Sequence, residues 1–408
     1  LKAYKNPDGS QRTWNRTAWD DATPRFSDNP YWTRYENFQN DIRNRFYGNV
    51  GLSAEVLPWL KLKGTVNADY YNLREMERVA IGSQAQPKYY EATREFSETN
   101  AEFLALVDKK LNENFDLTGT LGFNRMDQHY KSNLAQTQGG LVLPDFFNLN
   151  NAVSGVAVTD FDRKKRINSV YGSASLGYKS TVYLELTGRN DWSSALTPPS
   201  GDVPDNSYFY PAVNASFVFS NLPALNSSRW LTMGKLRGGW AEVANDTDAY
   251  NNNLIYSSDL NDDLFPYTYD GLALYSVSNT KGNPLLKPET ITGWEIGAQL
   301  AFLGNRVGLD VTYYDKTSTD LILPLQVSGA TGVNRVYVNS GEMTNKGIEI
   351  LLTGTPIKSE SGFTWDVAVN FSKVDTEIVK LYEDLGAYTL TNAPFSVTLT
   401  AQVGESYG

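Results

Sequence analysis

A single histidine, His129, and no cysteine narrow the chemistry open to this chain of 408 residues. Disulfides, thiolate metal sites and cysteine nucleophiles are excluded, and only one imidazole base is available. There is no Gly-x-Ser-x-Gly elbow, no phosphate-binding Gly-Lys-Ser/Thr loop and no His-Glu-x-x-His. Carboxylates are plentiful, yet nothing in the spacing fixes two of them at the separation a glycosidase needs. The chain therefore reads as a non-enzyme without a cofactor. Asp259, Asn261 and Asp263 have the first-third-fifth spacing of a calcium loop. Leu264 stands where that loop turns on Gly, and Asp270 where it closes on Glu. A plain acidic, solvated loop is the competing reading. A site for sugars needs aromatic rings for flat C–H faces and Asp, Asn or Arg for hydroxyls. Asp191 with Trp192, then Tyr250, Tyr256, Tyr267 and Tyr269, are residues of that kind. The Asn-x-Ser/Thr triplets at Asn15, Asn214, Asn226 and Asn370 read as chance, two of them falling within predicted strands.

The elements that must position these residues are strands. Asp plus Glu is 46 against 36 Lys plus Arg, a net charge of −10, which argues against a general nucleic-acid binder. No run of 18 apolar residues exists, so no helix is predicted to cross a membrane. The opening Leu1-Lys2-Ala3-Tyr4 is neither a Met start nor a signal peptide, and the chain reads as a piece of a longer protein. The dominant signal is alternation with period 2. Val182, Leu184 and Leu186 oppose Tyr183, Glu185 and Thr187; Trp294, Ile296 and Leu300 oppose Glu295 and Gln299; Trp365, Val367, Val369 and Phe371 oppose Asp366 and Asn370. Such runs predict strands near 46–55, 59–68, 101–111, 115–124, 168–178, 181–189, 211–219, 231–243, 292–301, 307–316, 345–355 and 363–373, with one or two more near 20–45 and 385–403.

The connections alternate as well. Short ones fall at 56–58, 112–114, 179–180, 220–230, 302–306 and 356–362; long ones at 69–100, 125–167, 190–210, 244–291 and 317–344. Turns on one rim and extended loops on the other are what a transmembrane β-barrel requires. In lipid every backbone N–H and C=O must be paired, so the sheet closes on itself. The 13% aromatic content then has a cause, because Tyr and Trp settle at water–lipid boundaries. Tyr70-Tyr71 and Tyr208-Phe209-Tyr210 are predicted at such rims. His129 is predicted in the long loop 125–167. A soluble all-β protein also alternates, but it rarely carries five long loops on one side. The polar faces carry Glu185, Glu295, Asp310, Glu349 and Asp366 among small residues, which suits a watered lumen. Tyr178 and Val182 share a face only if the turn between them has an odd length or a bulge around Lys179–Thr181.

Several stretches resemble the SusC/RagA-like TonB-dependent outer-membrane transporters. They include Gly188-Arg189-Asn190-Asp191-Trp192-Ser193-Ser194, Gly234-Lys235-Leu236-Arg237-Gly238-Gly239-Trp240, Asn283-Pro284-Leu285-Leu286-Lys287-Pro288-Glu289-Thr290 and Val338-Asn339-Ser340-Gly341-Glu342-Met343-Thr344-Asn345-Lys346-Gly347. The likeness runs from about residue 30 to the end and is weaker over 69–167. It implies an all-β, antiparallel transmembrane barrel of which residues 1–408 supply about 12–14 of 22 strands, the N-terminal plug and last strands lying outside this chain. It implies import across the outer membrane of a Gram-negative bacterium of oligosaccharides or peptides, energised through TonB. A SusD-like surface lipoprotein would serve as lid. A passive porin and a soluble glycan-binding module are the alternatives. On this reading Asp191, Trp192 and the four tyrosines lie on outer loops near the mouth. Packing by Trp192 and lipid anchoring by the tyrosines are their competing roles. The segment 244–291 carries seven acidic residues against two lysines, a net of −5, and would stay hydrated where a lid could dock.

Overall fold

The computed structural model describes residues 2–197, 206–253, 256–257, 268–270, 272–383, 385–393 and 397–406. Twelve strands form one antiparallel sheet, in chain order and without a crossover. They are β1 (Phe38–Leu57), β2 (Leu60–Val79), β3 (Lys88–Lys110), β4 (Phe115–Thr137), β5 (Val156–Tyr178) and β6 (Val182–Ser193). Then follow β7 (Ser207–Phe217), β8 (Leu231–Asn245), β9 (Glu289–Phe302), β10 (Val307–Thr319), β11 (Glu342–Lys358) and β12 (Thr364–Lys380). Each of the twelve predicted strands is present. β1 and β12 form the two edges, so the sheet is an open wall among the described residues.

The lengths differ from the sequence reading. β3, β4 and β5 run 23 residues each, about twice what a tilted strand needs to cross hydrocarbon. The predicted loops 69–100 and 125–167 are largely strand, leaving connections of only 80–87 and 138–155. The extra length was hidden because its residues are polar on both faces. His129 accordingly lies within β4, its Nε2 3.0 Å from Asp162 of β5. The stretch predicted near 20–45 is a short helix, Pro30–Tyr35, followed by the start of β1. The stretch near 385–403 is a hairpin of Ala387–Ala393 with Val397–Gln402 that pairs only with itself.

The turns behave as the alternation requires. Tyr178 pairs with Val182 across a three-residue turn, which keeps both on one face. Lys179 and Ser180 adopt φ of 49° and 51° to achieve it. The segment before β1 is tied to the β2–β3 connection: Trp32 is buried and donates from Nε1 to Ser83 Oγ at 2.8 Å. There Lys5 Nζ lies 2.8 Å from Glu36, and that hydrogen bond raises the ammonium pKa against a small cost of burial.

Candidate functional site

Register carries one face through the whole sheet. Val50 pairs with Val66, Phe103 with Phe123, and Phe123 with Val170. Val213 pairs with Trp240, Trp240 with Trp294, Ile296 with Tyr313 and Ile350 with Phe371. This outer face is apolar yet uncovered: Val50 is 75% exposed, Leu52 80% and Leu186 52%. A soluble sheet buries such a face against a second layer. The only cluster of fully buried apolar residues among those described, Ile378, Leu381 and Ala401, packs the small hairpin instead. No described helix is long and apolar enough to cross a membrane. A continuous, predominantly apolar sheet face on strands hydrogen-bonded to neighbours on both sides is the wall of a transmembrane β-barrel.

The opposite, inner face carries Glu185, Glu295, Asp310, Glu349 and Asp366, as their strand neighbours dictate. Here glycines make room for long polar side chains. Arg237 of β8 lies across Gly297 of β9 to reach Asp310 of β10, with Nη2 2.7 Å and Nη1 3.2 Å from its carboxylate. A Cβ on Gly297 would sit 2.8 Å from the guanidinium carbon. Tyr171 of β5 likewise crosses Gly122 and donates to Glu102 of β3. Sequence spacing could not find these trios, because their members lie on three strands and only register unites them.

Asp191 and Trp192 lie in β6 rather than on an outer loop, and adjacent strand positions face opposite ways. Asp191 points inward and is 6% exposed. It accepts from Arg189 Nε at 2.8 Å and from Tyr210 OH at 2.5 Å, while Arg189 Nη2 donates to Ser169 Oγ at 2.8 Å. Trp192 lies on the outer face beside Val50, Phe103 and Val170. The rim aromatics divide in the same way. Tyr70 and Phe209 point outward, whereas Tyr71 stacks on Phe96 at 5.2 Å and Tyr208 on Tyr210 at 5.9 Å along the inner face. All five lie within strands.

The connection after β8 folds back over β5. Lys165 Nζ lies 2.5 Å from Asp246, which also accepts from Ser193 Oγ, and Arg163 lies 2.9 Å from Asp248. Tyr250 takes φ of 75° and its OH accepts from the Lys164 N–H at 3.4 Å. Sequence spacing does not reveal this clasp, because residues 163–166 carry no apolar alternation that marks them as part of β5. Tyr256 and Tyr269 fall in two-residue strands of the same connection, their side chains outside the described set. Tyr267 and the calcium-like trio Asp259, Asn261 and Asp263 lie outside the described residues. Among described residues, no group of three or more His, Asp or Glu is placed to hold a metal ion.

With this geometry the comparisons with known proteins agree. The family described as "TonB dependent receptor-like, beta-barrel" matches residues 2–407, and the chain belongs to it. It is of the SusC/RagA-like type within that outer-membrane family. It is 24% identical over 371 residues to TonB-dependent receptor P3 of Formosa agariphila, covering 87% of this chain and 35% of that protein. It is 25% identical over 226 residues to TonB-dependent receptor SusC of Bacteroides thetaiotaomicron, covering 55% and 22%. A solved structure of the RagAB peptide transporter superposes with a TM-score of 0.76 at 20% identity, covering 95% of this chain and 42% of that one. The chain thus spans about a third of the first relative's length. All three relatives are named as receptors or transporters, not enzymes.

Proposed function

We propose that this chain is barrel wall from an active outer-membrane importer of oligosaccharides or peptides. Energy would come through TonB, and a SusD-like lipoprotein would close the mouth. The observation that carries this reading is the uncovered, predominantly apolar outer face that runs over twelve strands, backed by a hydrogen-bonded polar inner face. In the complete protein, further strands would pair with the free edges of β1 and β12, and an N-terminal plug would fill the lumen. Residues 1–408 are then one partial barrel domain.

Asp191 serves this function by holding Arg189 and Tyr210 in place, since its oxygens are already engaged. Tyr250, Tyr256, Tyr267 and Tyr269 share the long connection after β8 and remain the candidates for cargo or lid contact. Two of that segment's seven acids, Asp246 and Asp248, are neutralised by Lys165 and Arg163, so its net charge of −5 falls to −3. That residual charge suits a lid with a basic underside.

The test is uptake by cells carrying the full-length parent protein. Import should stop when TonB or the lipoprotein encoded with it is deleted. Undiminished import without TonB would favour a passive porin, and recovery of the parent in the soluble fraction would defeat the proposal.

A further inference from the structure

A hollow of about 620 Å³ lies on the outer face, where β1 to β6 meet lipid. Its walls are Val50, Leu52, Val66, Phe103, Phe123 and Val170, with Trp192 closing one side. Small residues create it. Gly64 and Ala101 stand between larger neighbours, and a Cβ built on Gly64 meets nothing within 4 Å. Lipid must fill this space, because an uncovered apolar hollow of this size forfeits its contacts.

The upper end of the hollow is charged. Along β4 the outward series changes from Leu121 and Phe123 to Arg125 and Asp127; along β5 it changes from Val170 to Asn168, Arg166 and Lys164. The cations therefore stand where hydrocarbon gives way to headgroups. Arg125 lines the hollow, and its Nε is 2.8 Å from Asp127 Oδ2; Arg166 Nε is 2.5 Å from Oδ1 of the same carboxylate. Both side chains are about half exposed, at 53% and 51%. A guanidinium has five N–H donors, and here each Arg spends only Nε on Asp127, leaving both Nη groups for another acceptor. Over residues 125–131 of β4 and 162–166 of β5 the outward cations Arg125, Lys131, Lys164 and Arg166 face Asp127 and Asp162, a local net of +2 on a chain of −10.

We propose that this hollow binds an anionic, phosphate-bearing lipid of the outer leaflet. One acyl chain would lie between Phe103 and Trp192, and the phosphate would be bridged by the Nη groups of Arg125 and Arg166. Asp127 holds the two guanidiniums side by side, a geometry suited to phosphate oxygens. The site is independent of the lumen and of whatever cargo passes through it.

The test uses the full-length parent protein in phosphatidylcholine nanodiscs with and without lipid A, a phosphorylated glycolipid. Lipid retained after mild extraction is counted by native mass spectrometry. Wild type should retain lipid A in preference to phosphatidylcholine. Arg125→Gln with Arg166→Gln should lower that retention by about tenfold or more, equal to roughly 1.4 kcal/mol. Gly64→Leu fills the hollow with both cations intact, and it should lower retention as well. Lys373→Gln, a distant outward position on β12, should leave retention unchanged and shows that overall charge is not the cause. Equal retention of the two lipids by wild type overturns the proposal. So does unchanged retention in the arginine variant, or loss there with Gly64→Leu behaving as wild type.

Discussion

Replacing Gly297 with alanine should destabilise the barrel, whereas the same change at Gly64 should stabilise it. Both are strand glycines, and removing the excess freedom of glycine in the unfolded chain contributes about 0.5–1 kcal/mol. At Gly64 an added Cβ meets nothing within 4 Å, so that gain stands. At Gly297 the new Cβ would lie 2.8 Å from Cζ and Nε of Arg237. Carbon atoms prefer about 3.5–4.0 Å, so the guanidinium must swing away from Asp310. Hydrogen bonds to charged groups contribute about 1.5–3 kcal/mol. Arg237 and Asp310 are 28% and 27% exposed, which permits water to screen them. The loss is then about 1–2 kcal/mol. Set against the glycine gain, Gly297→Ala should cost roughly 0–1.5 kcal/mol net, centred on about 0.8 kcal/mol. In an Arg237→Ala background the clash disappears, and Gly297→Ala should become stabilising by about 0.5–1 kcal/mol. The assay is equilibrium urea unfolding of the parent protein in lipid vesicles, read as a double-mutant cycle. Additive effects of Gly297→Ala and Arg237→Ala would refute the reasoning.

Four further outcomes follow from the same geometry. Leu184→Arg, on the outer face, should destabilise the folded barrel in vesicles by about 2–4 kcal/mol, whereas Glu185→Arg on the inner face should change it by less than about 1 kcal/mol. Asp191→Ala should cost about 2–3 kcal/mol in the same unfolding assay by stranding Arg189. Trp192→Ala, facing lipid, should leave cargo affinity measured by calorimetry within about twofold of wild type. Ser180→Gly should raise the urea midpoint, relieving about 1 kcal/mol of left-handed backbone at φ of 51°.

Much of the sheet was legible because lipid imposes a strict rule on sequence. Within β6 the run from Val182 to Thr187 alternates strictly, with hydrocarbon on one side and water on the other. The three-residue turn after Tyr178 could be inferred from the same alternation. Above the hydrocarbon layer the rule lapses. Residues 125–137 of β4 continue the ladder with Arg, Asp, His and Lys facing outward, so no period betrays them as strand. The site was less legible for a related reason. Asp191 and Trp192 are sequence neighbours that look like one constellation, yet the pleat sends them to opposite solvents. Arg237, Gly297 and Asp310 are far apart in sequence and become one unit only through the pairing of β8, β9 and β10.

The orientation of the sheet can be read directly, because a chain without cysteine allows single thiols to be placed at will. Leu184→Cys and Glu185→Cys, each made in a cysteine-free parent and carrying an environment-sensitive fluorophore, would be reconstituted in vesicles. The Leu184 label should be quenched by brominated acyl chains and shielded from aqueous iodide, and the Glu185 label should show the reverse. Equal quenching of both labels by iodide, or lipid quenching of the Glu185 label, would contradict the assignment of apolar side to membrane and polar side to passage.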